Sequence, residues 1–261
     1  MNIHPSEDGI IGLEPVSLST LSRNTMRFSS SIIDSIDSTI DVPVEKDELV
    51  EKALAQYDNS VKLCKSSRFS PERDAFCEAY QLPVLDPVRV DLVLQCLLPI
   101  AAKDEGYAGL LVSDLIKASY AAGNNGFVLH TQDVPVDFLC AGIKGIRGKP
   151  VNITVYGNTG NYTGRESEWC SMRHEGNAQD HYFDDAEHAE IFISGTFTEY
   201  PLIGAADTTL RTTDRKMFNY VIHKMVECVH YQRGRHVHLV DDVGNTLDAF
   251  NDSYLRKRGG P

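Results

Sequence analysis

Ile153-Thr154-Val155-Tyr156-Gly157-Asn158 returns as Met172-Arg173-His174-Glu175-Gly176-Asn177, and again as Ile191-Phe192-Ile193-Ser194-Gly195-Thr196. Each copy begins 19 residues after the one before it. Leu210 and Thr212 carry the first and third columns one step further, with Asp214 where the glycine would stand. Later in each copy Ser167, Ala186 and Ala205 align, as do Cys170, Ala189 and Thr208. A fixed period of this length is the mark of a stacked repeat. Alternate residues of a strand point to one side, so 153 and 155 would face inward while Thr154, Arg173 and Arg211 face out. One such coil has no partner for its apolar side, and stacking in register about 4.8 Å apart supplies one. The Gly-Asn corner is expected to turn the chain through positive φ. This predicts a short parallel, right-handed β-helix of 19-residue coils over residues 124–214.

Outward from the repeat, the pattern becomes helical toward the N-terminus. Leu49, Val50, Ala53, Leu54, Tyr57 and Val61 recur at helical spacing. Ser70-Pro71 and Asp86-Pro87 are helix openings, a capping side chain followed by proline at the first helical position. The second precedes an almost wholly apolar helix over 88–98, and a further helix over 110–122 ends at Gly123. Residues 43–123 thus read as a helical domain, and the whole chain as α+β. A helix over about 215–231 and a strand over 235–240 form a C-terminal cap, 215–244, followed by a tail, 245–261. The helical domain and residues 129–139 are expected to cover one end of the coils. Residues 1–42 read as a disordered arm in which Phe28, Ile32, Ile33, Ile36 and Ile40 share one face of a short amphipathic helix.

The chain resembles a mostly archaeal family of uncharacterised proteins that pair a helical N-terminal part with a Gly-rich repeat. The resemblance lies in Tyr80-Gln81-Leu82-Pro83-Val84-Leu85, in Leu111-Val112-Ser113-Asp114-Leu115-Ile116, and in Gly126-Phe127-Val128-Leu129-His130. It continues through Asp137-Phe138-Leu139 to Ile153-Thr154-Val155-Tyr156-Gly157-Asn158-Thr159-Gly160-Asn161-Tyr162-Thr163-Gly164, covering roughly 75–240. That repeat is similar to the C-terminal domain of glutamate synthase and to the β-helical subunit of formylmethanofuran dehydrogenase. The resemblance implies a scaffold that joins catalytic parts and brings no catalytic residues of its own. Phe183 and Leu202 stand where the pattern has Gly164, so those corners are expected to bulge or to meet another surface.

A hydrophobic content of 42% and charged content of 24% suit a soluble globular protein. No apolar run reaches the ~18 residues of a membrane span. The polar start lacks a secretion-signal layout, so a cytoplasmic location is expected, and the six cysteines, without Cys-x-x-Cys pairs, read as small buried hydrophobes. A formal net charge of -12 argues against binding a nucleic-acid backbone, the basic Arg256-Lys257-Arg258 tail aside. His236 and His238 share one face of a strand, and with His230 they are candidate ligands for a divalent metal; no other cofactor is expected. His174 sits in an inward column and reads as a hydrogen-bonded core residue. His181 aligns with Tyr162 and Tyr200, and His188 with Trp169 and Asp207. No Gly-x-Ser-x-Gly elbow or phosphate loop is present. The reading is therefore a non-enzymatic scaffold that presents Tyr162, His181 and Tyr200, together with Phe28, Ile32 and Ile36, to a protein partner. A metal-dependent enzyme using His230, His236 and His238 is the alternative.

Overall fold

Buried and exposed residues alternate through Val151-Asn152-Ile153-Thr154-Val155, and this alternation makes the segment a strand with one dry face. The computed structural model describes residues 47–66, 82–101, 103, 104, 106–213, 216, 217, 219–221, 223, 237–240, 244 and 246–249. All of them belong to a unit that runs from Lys46 onward. Among the described residues four helices, α1 (Glu48–Leu54), α2 (Tyr57–Ser66), α3 (Pro87–Ala101) and α4 (Tyr107–Ala121), precede seven strands. The strands are β1 (Gly126–Val136), β2 (Val151–Thr159), β3 (Cys170–Glu175), β4 (Glu190–Ile193), β5 (Thr208–Thr212), β6 (Val237–Val240) and β7 (Thr246–Ala249). They form one sheet in chain order, parallel from β1 to β6 and antiparallel between β6 and β7, and the sheet does not close on itself. The chain is therefore α+β. No described helix is long and apolar enough to cross a membrane.

The register follows the sequence period. Ile153 pairs with Met172, Met172 with Ile191 and Ile191 with Leu210, each 19 residues on. The ladder extends past the visible repeat to Phe127 on one side and Leu239 on the other, by intervals of 26 and 29 residues. Residues 129–139 were expected to cover an end; instead 126–136 form the first strand of the sheet. The apolar column Phe127, Ile153, Met172, Ile191, Leu210 and Leu239 is buried throughout. Each such side chain removed from water stabilises the fold by about 1.5–3 kcal/mol. Two further sets of parallel bridges keep the same step: Thr159 to Ala178 to Phe197, and Glu168 to Glu187 to Ala206.

The glycine column obeys a different rule from the one expected. Only Gly157 has positive φ, at 109°. At Gly176 an added Cβ would stand 2.0 Å from the Gly157 carbonyl oxygen, and at Gly195 2.0 Å from that of Gly176. The column is kept bare by close stacking of backbone on backbone. Beside it, Asn158 Oδ1 accepts the N–H and the side-chain amide of Asn177, both at 3.1 Å. Asn177 Oδ1 in turn accepts the N–H of Thr196 at 3.0 Å and its hydroxyl at 2.9 Å.

Phe183 and Leu202 do not bulge. Their φ values of 57° and 63° match the 69° of Gly164, and both are fully buried. Their N–H groups reach Thr163 and Tyr182 carbonyls at 2.8 Å, as Gly164 reaches Leu139 at 2.9 Å. The apolar side chains gain the interior, and that burial offsets the ~1–2 kcal/mol cost of a left-handed residue.

The helices share the sheet's core, a single cluster running from Val50 to Leu239. Asp86 Oδ1 accepts the Arg89 N–H at 2.9 Å and opens α3, as its Asp-Pro signal predicts. Ahead of α4 the buried Asp104 accepts N–H groups of Gly106 and Ala108 at 2.9 and 2.6 Å. The expected tail is not uniform: Gly244, at φ 84°, lies between two antiparallel strands, and 246–249 pair with β6. The Ser70-Pro71 helix, the arm and the tail residues Arg256, Lys257 and Arg258 lie outside the described residues.

Candidate functional site

Between the strands, each repeat passes through a segment in which alternate residues are left-handed. Tyr162, Gly164 and Glu166 have φ of 60°, 69° and 56°. His181, Phe183 and Asp185 follow at 57°, 57° and 53°, then Tyr200, Leu202 and Gly204 at 34°, 63° and 72°. Phe138, Cys140 and Gly142 begin the series at 57°, 62° and 63°. Bulky residues rarely adopt this region, and a run of them marks a backbone held by its neighbours. Here the neighbours are the adjacent repeats. Phe138 N–H donates to Asn161, Tyr162 N–H to Asp180 and Glu166 N–H to Asp184, at 2.8 to 3.0 Å.

The first residue of each such segment contributes a ring, and the rings form a row. Phe138 and Tyr162 stack with centroids 4.8 Å apart and planes 9° apart; Tyr162 and His181 stack at 4.7 Å and 8°. His181 and Tyr200 follow at 6.4 Å, tilted by 32°. The row starts in a small apolar cluster with Tyr107, Leu110 and Ala141, against which Tyr57 and Val61 pack. It ends half-buried: Tyr162, His181 and Tyr200 keep part of their rings in water. The structure thus brings together the three residues that the 19-residue alignment put in one column. Trp169 and His188 likewise stack, at 4.2 Å, with Asp207 at 3.8 Å from His188 Nδ1.

Within the row His181 is gripped by carboxylates. Its Nδ1 lies 2.6 Å from Oδ2 of Asp184, and its Nε2 lies 3.7 Å from Oδ2 of Asp180. Asp184 is nearly buried, and its Oδ1 accepts the Ile203 N–H of the following repeat at 2.9 Å. Burial pushes the Asp184 carboxyl up to about 6, against the lowering pull of His181. The same pairing of histidine and carboxylate occurs at His130, whose Nδ1 is 2.8 Å from Asp91, and whose ring stacks on Tyr156 at 5.4 Å. A triad requires a nucleophile at the second imidazole nitrogen. At His181 that position faces another carboxylate.

His174 is a core residue, as its column predicts. It is fully buried, with Nε2 2.9 Å from the Gly157 carbonyl and Nδ1 3.2 Å from the Tyr182 hydroxyl. A carbonyl only accepts, so Nε2 carries the proton and Tyr182 donates to Nδ1. Burial lowers its pKa to about 4. Burial drives the Cys170 thiol the other way, up to about 12, so it stays protonated and inert.

Of the proposed metal ligands, His238 is half-buried on β6, level with Thr209 of β5 and Asp248 of β7. His230 and His236 lie outside the described residues, as do Phe28, Ile32 and Ile36. Among the described residues no group of three histidine, cysteine or acidic side chains is placed to hold a metal ion. Asp91 and Asp104 were not singled out in the sequence. Asp184 falls in the same 19-residue column as Arg165 and Ile203, and nothing in that column signals a carboxylate with a function.

Comparison with known proteins adds no relative: no family model, curated protein or solved structure matches the chain.

Proposed function

We propose that this chain is a non-enzymatic scaffold whose repeats close into a right-handed parallel β-helix, with a protein partner docking along the ring row. The row of rings, Phe138 buried at its head and Tyr162, His181 and Tyr200 half-buried after it, carries this reading. Three bridge ladders at a 19-residue step support the coil geometry. The half-buried rings keep part of their edges in water, so a partner would meet aromatic carbon with polar groups beside it. That combination suits protein interfaces, where aromatic residues are enriched. The row is also stiff, because each ring is held by the left-handed backbone beneath it, so little side-chain entropy is lost on docking.

The test compares partners of the full-length chain with those of a Tyr162→Ser, Tyr200→Ser double variant, by crosslinking and quantitative mass spectrometry. One dominant partner is expected to fall by about tenfold, the size of a lost aromatic anchor. Unfolding midpoints of the two proteins, read by circular dichroism, establish that both are folded. An unchanged partner set in a folded variant overturns the reading.

A further inference from the structure

Residues 151–213 hold ten carboxylates, no lysine and three arginines, Arg165, Arg173 and Arg211. Arg165 stays beside Glu166, with Nε 3.2 Å from Oε1. The other two stand two repeats apart, and the register sets them in one row on the solvent face of the sheet with Phe192 between them. The Arg173 guanidinium lies over the Phe192 ring, 4.7 Å from its centroid. Two residues earlier on the same strands come Ser171, Glu190 and Thr209. These side chains line a shallow cleft of about 190 Å³.

The charges there are unequally used. Arg173 Nη2 is 2.5 Å from Glu175, while exposed Arg211 has no ion-pair partner among the described residues. Glu190 sits diagonal to both arginines and pairs with neither. The cleft falls below the ~300 Å³ of a usual cofactor pocket, so it has room for a single ring and its substituent. A phenyl wall flanked by a guanidinium with open donors suits a planar anion, which a guanidinium fork binds through two parallel hydrogen bonds.

We propose that this cleft binds a small aromatic carboxylate, its ring against Phe192 and its carboxylate on Arg211, with the remaining Arg173 N–H groups assisting. Ser171 and Thr209 hydroxyls and the Glu190 carboxylate then sort ligands by their ring substituents: donors are accepted and a second anionic group is repelled. The site occupies the strand face, apart from the ring row, and stands or falls independently of the partner reading.

The probe is 4-fluorobenzoate, followed by fluorine NMR on the full chain. Saturable broadening in the millimolar range is expected, and Arg211→Gln should weaken it by about tenfold through loss of a charge-assisted bidentate contact. Phe192→Leu should weaken 4-fluorobenzoate while leaving displacement by inorganic phosphate unchanged. Arg147→Gln, at another exposed arginine, serves as the control and should leave the affinity as it was. Absence of saturation, or equal behaviour of Arg211→Gln and Arg147→Gln, overturns the proposal.

Discussion

His174 shows how one inward polar side chain sets the pH response of a repeat. It occupies the column of Leu129, Val155, Ile193 and Thr212, where every other member is apolar or a threonine. Both ring nitrogens have partners, so the imidazole replaces an aliphatic side chain without leaving a buried group unsatisfied. Its folded pKa, about 4, lies below the usual 6.5. The unfolded chain therefore binds the extra proton between those values, and the stability present above pH 6.5 is lost as pH falls through 4. At about 1.4 kcal/mol per unit, the loss comes to roughly 3 kcal/mol. Asp184 works in the opposite sense. Its raised folded pKa favours the fold below about 3.8, a contribution lost as pH rises through about 6. Between pH 6.5 and 4 the two contributions nearly cancel, so urea unfolding should show little net change in the parent chain and a clear fall in stability in Asp184→Asn. In His174→Leu only the Asp184 contribution remains, so stability should rise as pH falls from 6 to 4, beneath a uniform penalty for stranding the Gly157 carbonyl. A slope unaltered by His174→Leu would place the titrating group elsewhere.

At the scale of the element, the informative unit is the left-handed segment between strands. The columns Ile153, Met172, Ile191 and Tyr162, His181, Tyr200 were legible because stacked elements repeat both their dry and their half-wet positions at one period. The strand at 235–240 was legible, but the places of β1 and β6 in the ladder were not, since insertions stretch their intervals to 26 and 29 residues and erase the alignment without disturbing the pairing. Phe183 and Leu202 misled for another reason. A missing glycine signals an abandoned left-handed turn only where burial gives the larger side chain no compensating gain. Asp185 tests that logic from the other side: it is left-handed at φ 53°, exposed, and adds charge repulsion to Asp184. Its N–H donates to the Ile203 carbonyl at 2.7 Å, a bond that glycine retains. Asp185→Gly should therefore stabilise the chain by about 0.5–1 kcal/mol, the left-handed penalty less the entropy of glycine. Glu187→Gly, two residues on in a bridge ladder and without positive φ, should destabilise by about 1 kcal/mol. Matching signs for the two variants in thermal unfolding would remove the claim that these segments hold strain.

For the molecule as a whole, the question is how a stack of parallel strands avoids adding strands from another copy. An open sheet edge is a template for self-association, and natural proteins cover or interrupt it. At the far end β7 runs antiparallel to β6 and so ends the parallel series. At the near end the cover is α3. Asp91 Oδ1 accepts the His130 N–H at 2.8 Å while Oδ2 holds the ring of the same histidine at 2.8 Å. Gln95 Nε2 donates to the His130 carbonyl. One helix face thus satisfies, from side chains, the donor and acceptor that a further strand would have taken from β1. The helical part is on this view an edge cover built into a common core, which explains why the change from helices to strands near 123 does not divide the hydrophobic cluster. Removing the cover chemically while leaving the apolar packing intact separates the two roles. Asp91→Ala with Gln95→Ala leaves the buried face of α3, Val90, Val93, Leu94 and Leu97, untouched. The loss of two or three partly exposed hydrogen bonds, at about 1 kcal/mol each, should lower the thermal midpoint by only several degrees. Sedimentation velocity should then show concentration-dependent association that the parent chain lacks at the same loading. If the double variant sediments as the parent does at every concentration, the β1 edge is guarded by something other than these two side chains.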